Sequence, residues 1–507
     1  MFNNYLKTAW RNIVRHKGHT VINIAGLSVS IAACLLLFTV ITFEYSYNRF
    51  ESNYSHIYRI VTKNKFNDGI TYTAGLPSPF AVALRADMSQ LQVTNINMND
   101  DDQFTILGSK GNSTADEKKF KETEGVTFAD PEYFSLFNAK WLTGNPSSLS
   151  QPNMVVLDKR TAIKYFGDWK NAEGQFVKMD NLVTLKVTGV VEDAPENTDL
   201  PFKIYVSFVT CKEYGDKYGY LADDWHNTIS DNQVFVLLPP HVSAAGINDL
   251  LKGFVKKHFG DLPAGTKKII SLQPLSEMHF DSRYGSINGA HIISKSILWT
   301  LSLIGVLIII MASINFINLS TAQAAGRSKE VGIRKVLGSR RRQLINQVMG
   351  ETFFIILLST GLATIIALLA LPYLSHISSV PKDVSLFTVK SSLFLLLLII
   401  TISFLSGLYP AVIVSGFQPV VALKSKINSA TVGGISLRRA LVVTQFVISQ
   451  VLIIGTIIAM NQMNFVHNAE LGFNKAAVYL TENIEDSSDI HKIDALKQQL
   501  FQNPHIK

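Results

Sequence analysis

Residues 297–317 read ILWTLSLIGVLIIIMASINFI, a stretch without a single Asp, Glu, Lys or Arg. A helix needs about 20 apolar residues to cross the hydrocarbon core of a bilayer. Four more uncharged stretches of similar length occur, at residues 21–43, 353–373, 393–414 and 440–460. One such run could be a buried helix of a water-soluble protein, but five of them predict a helical membrane protein with five spans.

The charges outside these spans are unevenly distributed. Residues 44–293, between spans one and two, carry 25 Lys/Arg and 30 Asp/Glu, whereas the rest of the chain carries 22 and 9. The segments before span one, between spans two and three, and between spans four and five are basic, as cytoplasmic loops are. If the spans alternate in direction, the N-terminus is cytoplasmic and residues 44–293 lie outside. This asymmetry indicates compartments and not a nucleic-acid partner.

The N-terminal residues 1–20 have an amphipathic pattern. Apolar residues recur at helical spacing and basic residues occupy another face: Phe2, Leu6, Trp10 and Ile13 against Lys7, Arg11 and Arg15. We predict a cytoplasmic helix along the inner leaflet, with an ordinary basic flank as the alternative near Gly18. The first apolar run is too long for a signal peptide, so we expect an anchor.

The external segment, residues 44–293, mixes strand and helix signals. Asp158 can cap a helix that ends near Gly167. Strand signals are strongest in three runs: Val155–Leu157, residues 182–191 and Val234–Leu238. These signals predict an α+β domain.

The external segment offers only weak candidates for metal-binding, catalytic or phosphate-binding residues. Asp100, Asp101 and Asp102 could bind a cation, but a solvated acidic loop is the more common outcome of such a run. The cluster around His226 lacks a further ligand at a recognisable spacing. The run at residues 108–114 lacks the Gly-Lys-Ser/Thr order of a phosphate loop. We therefore expect no catalytic residue, metal site or cofactor.

Residues 327–340 read RSKEVGIRKVLGSR and follow span two. Glu330 and Arg334 stand four apart, the favourable order for an ion pair in a helix. Gly332 and Gly338 permit close approach or helix termination. This stretch resembles the signature of the MacB/FtsX-like ABC permease family.

The resemblance extends over essentially the whole chain. Glu351 opens span three where that family usually has an acid, and residues 155–197 are similar to the family's MacB-type periplasmic core domain. The likeness implies an α-helical integral membrane protein of the bacterial inner membrane with a large extracytoplasmic α+β domain. In that family the segment after span two is the coupling element that contacts the ATPase.

By this resemblance, the chain is the non-catalytic permease subunit of an ABC transporter. A separate ABC ATPase subunit would bind the coupling segment, residues 319–345, and its cycle would reshape the external domain to move a drug, peptide or lipoprotein. The residues implied in this contact are Arg327, Glu330, Gly332, Arg334, Lys335, Gly338 and Arg340. The alternative is that they only anchor the topology. The family also implies contact with the lipid bilayer, a periplasmic adaptor or outer-membrane partner, and a dimer of permease units.

Two other functions are open. An FtsX-like protein would regulate cell-wall hydrolases, and a membrane-anchored sensor or adhesion protein would need no ATPase, although the coupling motif argues against the latter. Residues 294–425 form the expected permease domain. Residues 426–462 resemble the start of a second unit, and residues 463–507 the beginning of a second external domain, as in a long two-unit permease cut short.

Overall fold

The computed structural model describes residues 17–107, 118–260, 262–263, 265–287, 289–324, 328–382, 384–416, 435–469 and 490–502. These residues form two compact units. The helical unit lies within residues 1–45 and 296–478, and the sheet unit within residues 46–295 and 479–507.

The described chain starts with the long helix α1 (Lys17–Glu44) and then enters the sheet unit. Its strands are β1 (Ile57–Lys65), β2 (Ile70–Thr73), β3 (Gln92–Asn99), β4 (Asp102–Ile106), β5 (Lys119–Glu122), β6 (Val126–Ala129), β7 (Trp141–Thr143), β8 (Met154–Asp158), β9 (Phe176–Met179), β10 (Val183–Val191), β11 (Ile204–Ser207), β12 (Asn232–Leu237) and β13 (Lys267–Pro274). Its helices are α2 (Phe80–Asp87), α3 (Glu132–Leu136), α4 (Lys159–Phe166), α5 (Phe208–Glu213), α6 (Gly215–Tyr218), α7 (Ala244–Phe259) and α8 (Leu275–Met278). Short 3₁₀ turns lie at Pro146–Ser150, Trp169–Asn171 and Ser282–Tyr284.

The strands form one mixed sheet in the order β13-β1-β12-β3-β6-β11-β8-β10-β9-β4-β5, with β2 beside β1 and β7 beside β10. The pairs β6–β11 and β8–β10 are parallel, and the other described pairs are antiparallel. The register of β10 shifts between Val187 and Gly189. A Cβ at Gly189 would lie 2.6 Å from the Trp141 ring, so the edge strand β7 can approach only because this residue is glycine.

Three clusters of apolar side chains fill the sheet unit. They are centred on Phe104, Phe128 and Leu157, on Phe134, Tyr205 and Phe235, and on Phe80, Leu84 and Phe254. The strands contribute alternate residues to these clusters, as the burial of every second side chain at the start of β10 shows.

The local predictions for this unit are confirmed. Asp158 Oδ1 accepts a hydrogen bond from the Thr161 N–H at 2.7 Å, so it caps α4, and Gly167 ends that helix with φ +80°. The three predicted strands are β8, β10 and β12. The expected solvated loop is wrong at Asp102, which is fully buried as the first residue of β4. The Asn99 side-chain amide donates to its carboxylate across the β3–β4 turn.

The helical unit continues with α9 (Lys295–Ala324), α10 (Ser328–Val336), α11 (Arg341–Leu374), α12 (Val389–Gly416) and α13 (Ile435–Asn468), and the last described helix of the chain is α14 (Ile490–Phe501). The helices α1, α9, α11, α12 and α13 are long and apolar enough to cross a membrane. The predicted fold class, a membrane protein with five spans and a large α+β domain, is confirmed.

The core of the helical unit joins α1, α11 and α12. Leu27, Ile31 and Leu35 of α1 pack with Ile356 of α11 and Ile402 of α12. Within this contact, Ser28 Oγ donates to the Ser359 carbonyl at 3.0 Å. Small and hydroxyl-bearing residues at such contacts let membrane helices approach closely.

Several predictions concern residues outside the described ranges. The amphipathic helix of residues 1–20 lies largely there, as do Arg327, the run at residues 108–114, and residues 470–489 of the expected second external domain.

Candidate functional site

The helix α10 packs against the ends of two membrane helices. Val331, 7% exposed, packs with Leu344 near the start of α11 and Val414 near the end of α12. Gly332, beside Val331, is also buried. One side of this short charged helix therefore belongs to the core of the helical unit.

Two of the basic residues of α10 face this core. The Arg334 guanidinium forms an ion pair with Glu330 at 2.7 Å and also donates to Gln347 Oε1 on α11. Lys335 Nζ donates to the Ser415 carbonyl near the end of α12 at 2.7 Å. Burial, followed by the nearby Arg341 charge, lowers the pKa of Lys335. Hydrogen bonds from Arg334 and Lys335 thus hold α10 against α11 and α12.

The contact through Arg334 continues into span three. Gln347 Nε2 donates to Glu351 Oε1 at 3.1 Å, and Glu351 is 9% exposed. A single row of polar side chains, Arg334, Gln347 and Glu351, therefore joins α10 to a buried carboxyl of α11. Such a connected row holds the two helices in one relative arrangement.

The end of α10 is defined by Gly338. The Ser339 N–H donates to the Arg334 carbonyl at 3.0 Å, and the Gly338 N–H donates to the Lys335 carbonyl at 3.1 Å. With φ +95° at Gly338, this is a Schellman motif, which favours glycine at that position. The Arg340 N–H then donates to Gln343 Oε1 at 2.9 Å and starts α11.

The outer side of α10 is apolar near its end. Ile333 is 50% exposed, Val336 65% and Leu337 80%. The charged Lys329 and Glu330 are also exposed. The residues predicted from the sequence were the charged ones and the glycines, and these aliphatic residues were missed. Their spacing of three and four residues was the signal that could have found them.

The predicted site residues therefore have different environments. Glu330 and Arg340 are exposed, Arg334 and Lys335 face the other helices, and Gly338 ends α10. Elsewhere, the Asp224 carboxylate accepts the backbone N–H groups of His226 and Asn227 at 2.8 and 3.0 Å. A local turn therefore explains why the acidic residue lies beside His226.

Two family models match the chain. The MacB-like periplasmic core domain matches residues 20–254, and the FtsX-like permease C-terminal model matches residues 302–419. The first covers α1 and most of the sheet unit, and the second covers the helices that hold α10.

The names of curated proteins with similar sequences describe them as export proteins. A macrolide export ATP-binding/permease protein MacB of Photorhabdus laumondii is 23% identical over 390 residues, which are 73% of this chain and 53% of that protein. A probable syringafactin export ATP-binding/permease protein SyfD of Pseudomonas syringae is 25% identical over 241 residues, 46% of this chain and 33% of that protein. The chain spans about half the length of the first of these relatives and a third of the second.

Two solved structures resemble parts of the chain. A domain of a putative permease protein from Porphyromonas gingivalis has a TM-score of 0.37 at 15% identity, covering 50% of this chain and 98% of that one. The periplasmic region of MacB from Actinobacillus actinomycetemcomitans has a TM-score of 0.31 at 19% identity, covering 44% of this chain and 91% of that one.

Proposed function

Since the chain belongs to the permeases that combine a MacB-like periplasmic core domain with an FtsX-like permease domain, we propose that it transmits the nucleotide cycle of an ABC ATPase to the sheet unit outside the cytoplasm. The sequence of 507 residues contains no phosphate-binding loop, so the ATPase is supplied from outside these residues. The curated relatives are named for the export of macrolides and syringafactin, and export is the proposed direction of transport.

The observation that carries this proposal is the two-sided character of α10. Its outer side exposes Ile333, Val336 and Leu337, and large apolar side chains on a charged helix are typical of a surface that docks into a groove. Its inner side is fastened to α11 and α12 through Arg334 and Lys335. A partner bound to the outer side therefore acts on the membrane helices through the inner side.

Movement of the membrane helices reaches the sheet unit through α1. The helix α11 packs along α1, and the Ser28–Ser359 hydrogen bond lies inside that contact. The chain continues from α1 directly into the sheet unit, which starts at Ser46. A tilt of α11 is thus passed to α1 and along the chain to the external domain, with α10 cytoplasmic and the domain in the periplasm of a bacterial inner membrane.

A pair of matched leucine substitutions tests the proposal. Leu337, the residue after the end of α10, and Leu437, at the start of α13, are 80% and 44% exposed, and both lie on the cytoplasmic side in the proposed topology. Replacing each by serine should leave the packing of the helical unit intact, because neither side chain is buried. A buried leucine in an interface contributes about 1.5–3 kcal/mol, so Leu337→Ser should weaken ATPase binding tenfold or more.

The measurement is the amount of ABC ATPase that co-purifies from native membranes with the wild-type chain and each variant. We expect retention by Leu437→Ser and loss by Leu337→Ser. Equal retention by both variants would remove α10 from the contact, and the absence of any ABC ATPase with the wild-type chain would overturn the proposed function.

A further inference from the structure

The sheet unit contains a cleft of about 240 Å³ that the proposed function does not use. Its walls come from the segment after α1, from α3 and the turn that follows it, from β11, and from the turn after β10. Four aromatic residues and three acidic residues contribute to the lining: Phe50, Tyr133, Phe137, Tyr205, Glu51, Glu192 and Asp193.

The aromatic side chains form a connected wall. The Tyr133 ring lies 4.8 Å from Phe137 and 5.4 Å from Tyr205, centroid to centroid. The Tyr205 hydroxyl donates to the Phe202 carbonyl at 3.2 Å. The Tyr205 hydroxyl is thus held within the protein, and the wall that these side chains present to the cleft is aromatic.

Glu51 brings an unpaired carboxyl to this wall. Its backbone is held in a turn, since the Glu51 N–H donates to the Asn48 carbonyl at 3.1 Å and its carbonyl accepts from the Tyr54 N–H at 3.2 Å. Among the described residues, no hydrogen bond or ion pair reaches the Glu51 carboxyl. Burial raises the pKa of Glu51 to about 8, because the charged form has lost water without gaining a partner.

The other acidic residues of the cleft already have cations. Glu192 lies 3.5 Å from Lys140, and Asp193 lies 3.3 Å from Arg160. Glu51 is therefore the carboxyl in the cleft lining that is available to a cation from solution.

We propose that this cleft binds a small primary amine that carries one aromatic ring. The ammonium group lies at Glu51, and the ring lies against Tyr133, Phe137 and Tyr205. An ammonium group is attracted both by a carboxylate and by the faces of tyrosine and phenylalanine rings. A volume of 240 Å³ is below the roughly 300 Å³ at which pockets for drug-sized ligands begin. The ligand is accordingly an effector of the external domain, separate from a bulky exported cargo.

The proposal fixes the direction of the pH dependence. Before the amine binds, Glu51 is mostly protonated below pH 8, and it must lose its proton to pair with an ammonium ion. Affinity for the amine should therefore rise about tenfold between pH 6 and pH 7, and by a smaller factor as the pH approaches 8. The other ionisable groups that line the cleft are Tyr133, Tyr205, Lys140, Glu192 and Asp193. Burial raises the pKa of both tyrosines further from this range.

The probe is 2-phenylethylamine, with 2-phenylethanol as a neutral probe of the same shape. Calorimetry on the full chain in lipid nanodiscs should show saturable amine binding that is tenfold tighter at pH 7 than at pH 6. The alcohol should bind more weakly and without that pH dependence.

Glu51→Gln keeps the shape of the side chain and removes its charge, so it should weaken amine binding at least tenfold at pH 8. Glu196→Gln is the matched control, because Glu196 is 63% exposed and does not line the cleft. Equal binding of amine and alcohol, or unchanged amine binding in Glu51→Gln, would overturn the proposal. If Glu51→Gln does not fold, the pH series on the wild-type chain decides the question, and a flat series refutes the proposal.

Discussion

The ring nitrogen Nδ1 of His279 lies 2.8 Å from Asp199 Oδ1, and only 1% of the His279 side chain is exposed. The other oxygen of Asp199 accepts a hydrogen bond from Asn48 Nδ2 at 2.6 Å, and the Tyr47 ring stacks on His279 at 3.6 Å. One buried carboxyl thus ties together the segment that follows α1 and the segment that leads to α9. In the proposed function, movement reaches the sheet unit through the first of these two segments.

Replacing Asp199 by alanine should destabilise the sheet unit. The change leaves His279 and Asn48 buried without their acceptor, which costs about 3 kcal/mol. The measurement is the midpoint of thermal unfolding of the full chain in detergent. Asp249→Ala is the control, since Asp249 is 72% exposed and forms an exposed ion pair with Lys252, and it should shift the midpoint little. Similar midpoints for the two variants would show that Asp199 is not a structural tie.

The glycines of the sheet unit should respond to alanine with opposite signs. A Cβ at Gly189 would meet the Trp141 ring at 2.6 Å and the Thr143 carbonyl at 2.8 Å, so Gly189→Ala should cost about 1–3 kcal/mol. Gly253 lies within α7, and a Cβ added there would have no neighbouring atom within 4 Å, so Gly253→Ala should stabilise by up to about 1 kcal/mol. Denaturant unfolding of the two variants measures both effects, and a stabilised Gly189→Ala chain would contradict the packing of β7 on β10.

Arg334 should matter for transmission more than for binding of the ATPase. It faces Gln347, whereas the proposed contact is made by Leu337 and its exposed neighbours. We expect Arg334→Met to retain the ATPase within about twofold and to abolish ATP-dependent changes in limited proteolysis of the sheet unit. The control is Lys329→Met, a neutralisation on the exposed side of α10. Loss of the ATPase from Arg334→Met membranes would place Arg334 in the contact itself.

The proposed topology can be tested by thiol labelling. A cysteine at Asn112 should react with an impermeant reagent in intact spheroplasts, and a cysteine at Ser339 should not, because basic flanks stay in the cytoplasm. The native thiols give little background, since Cys34 and Cys211 are buried and burial raises the pKa of Cys211 to about 11. Labelling at Ser339 without labelling at Asn112 would reverse the orientation.

The helices α4 and α10 show which contacts can be predicted from the sequence and which cannot. The cap of α4 by Asp158 and its end at Gly167 were predicted because both signals are local to the helix they bound. For α10 the sequence predicted the Glu330–Arg334 ion pair, which also joins residues one turn apart. It did not predict that Arg334 and Lys335 face α11 and α12, because that depends on which helices pack together. The role of the coupling residues in ATPase contact stays a prediction.

The sequence by itself determined the five spans, the α+β character of the external segment and the family. Apolar length, strand and helix periodicity, and signature spacing are properties of consecutive residues. Only the tertiary structure decided that Asp102 is buried, that Ile333, Val336 and Leu337 form the exposed side of α10, and that Glu51 meets Tyr205 in one cleft. The physical reason is that these facts depend on pairing between segments far apart in the chain. A local pattern shows which side of an element is apolar, and the packing of the whole fold decides which element covers it.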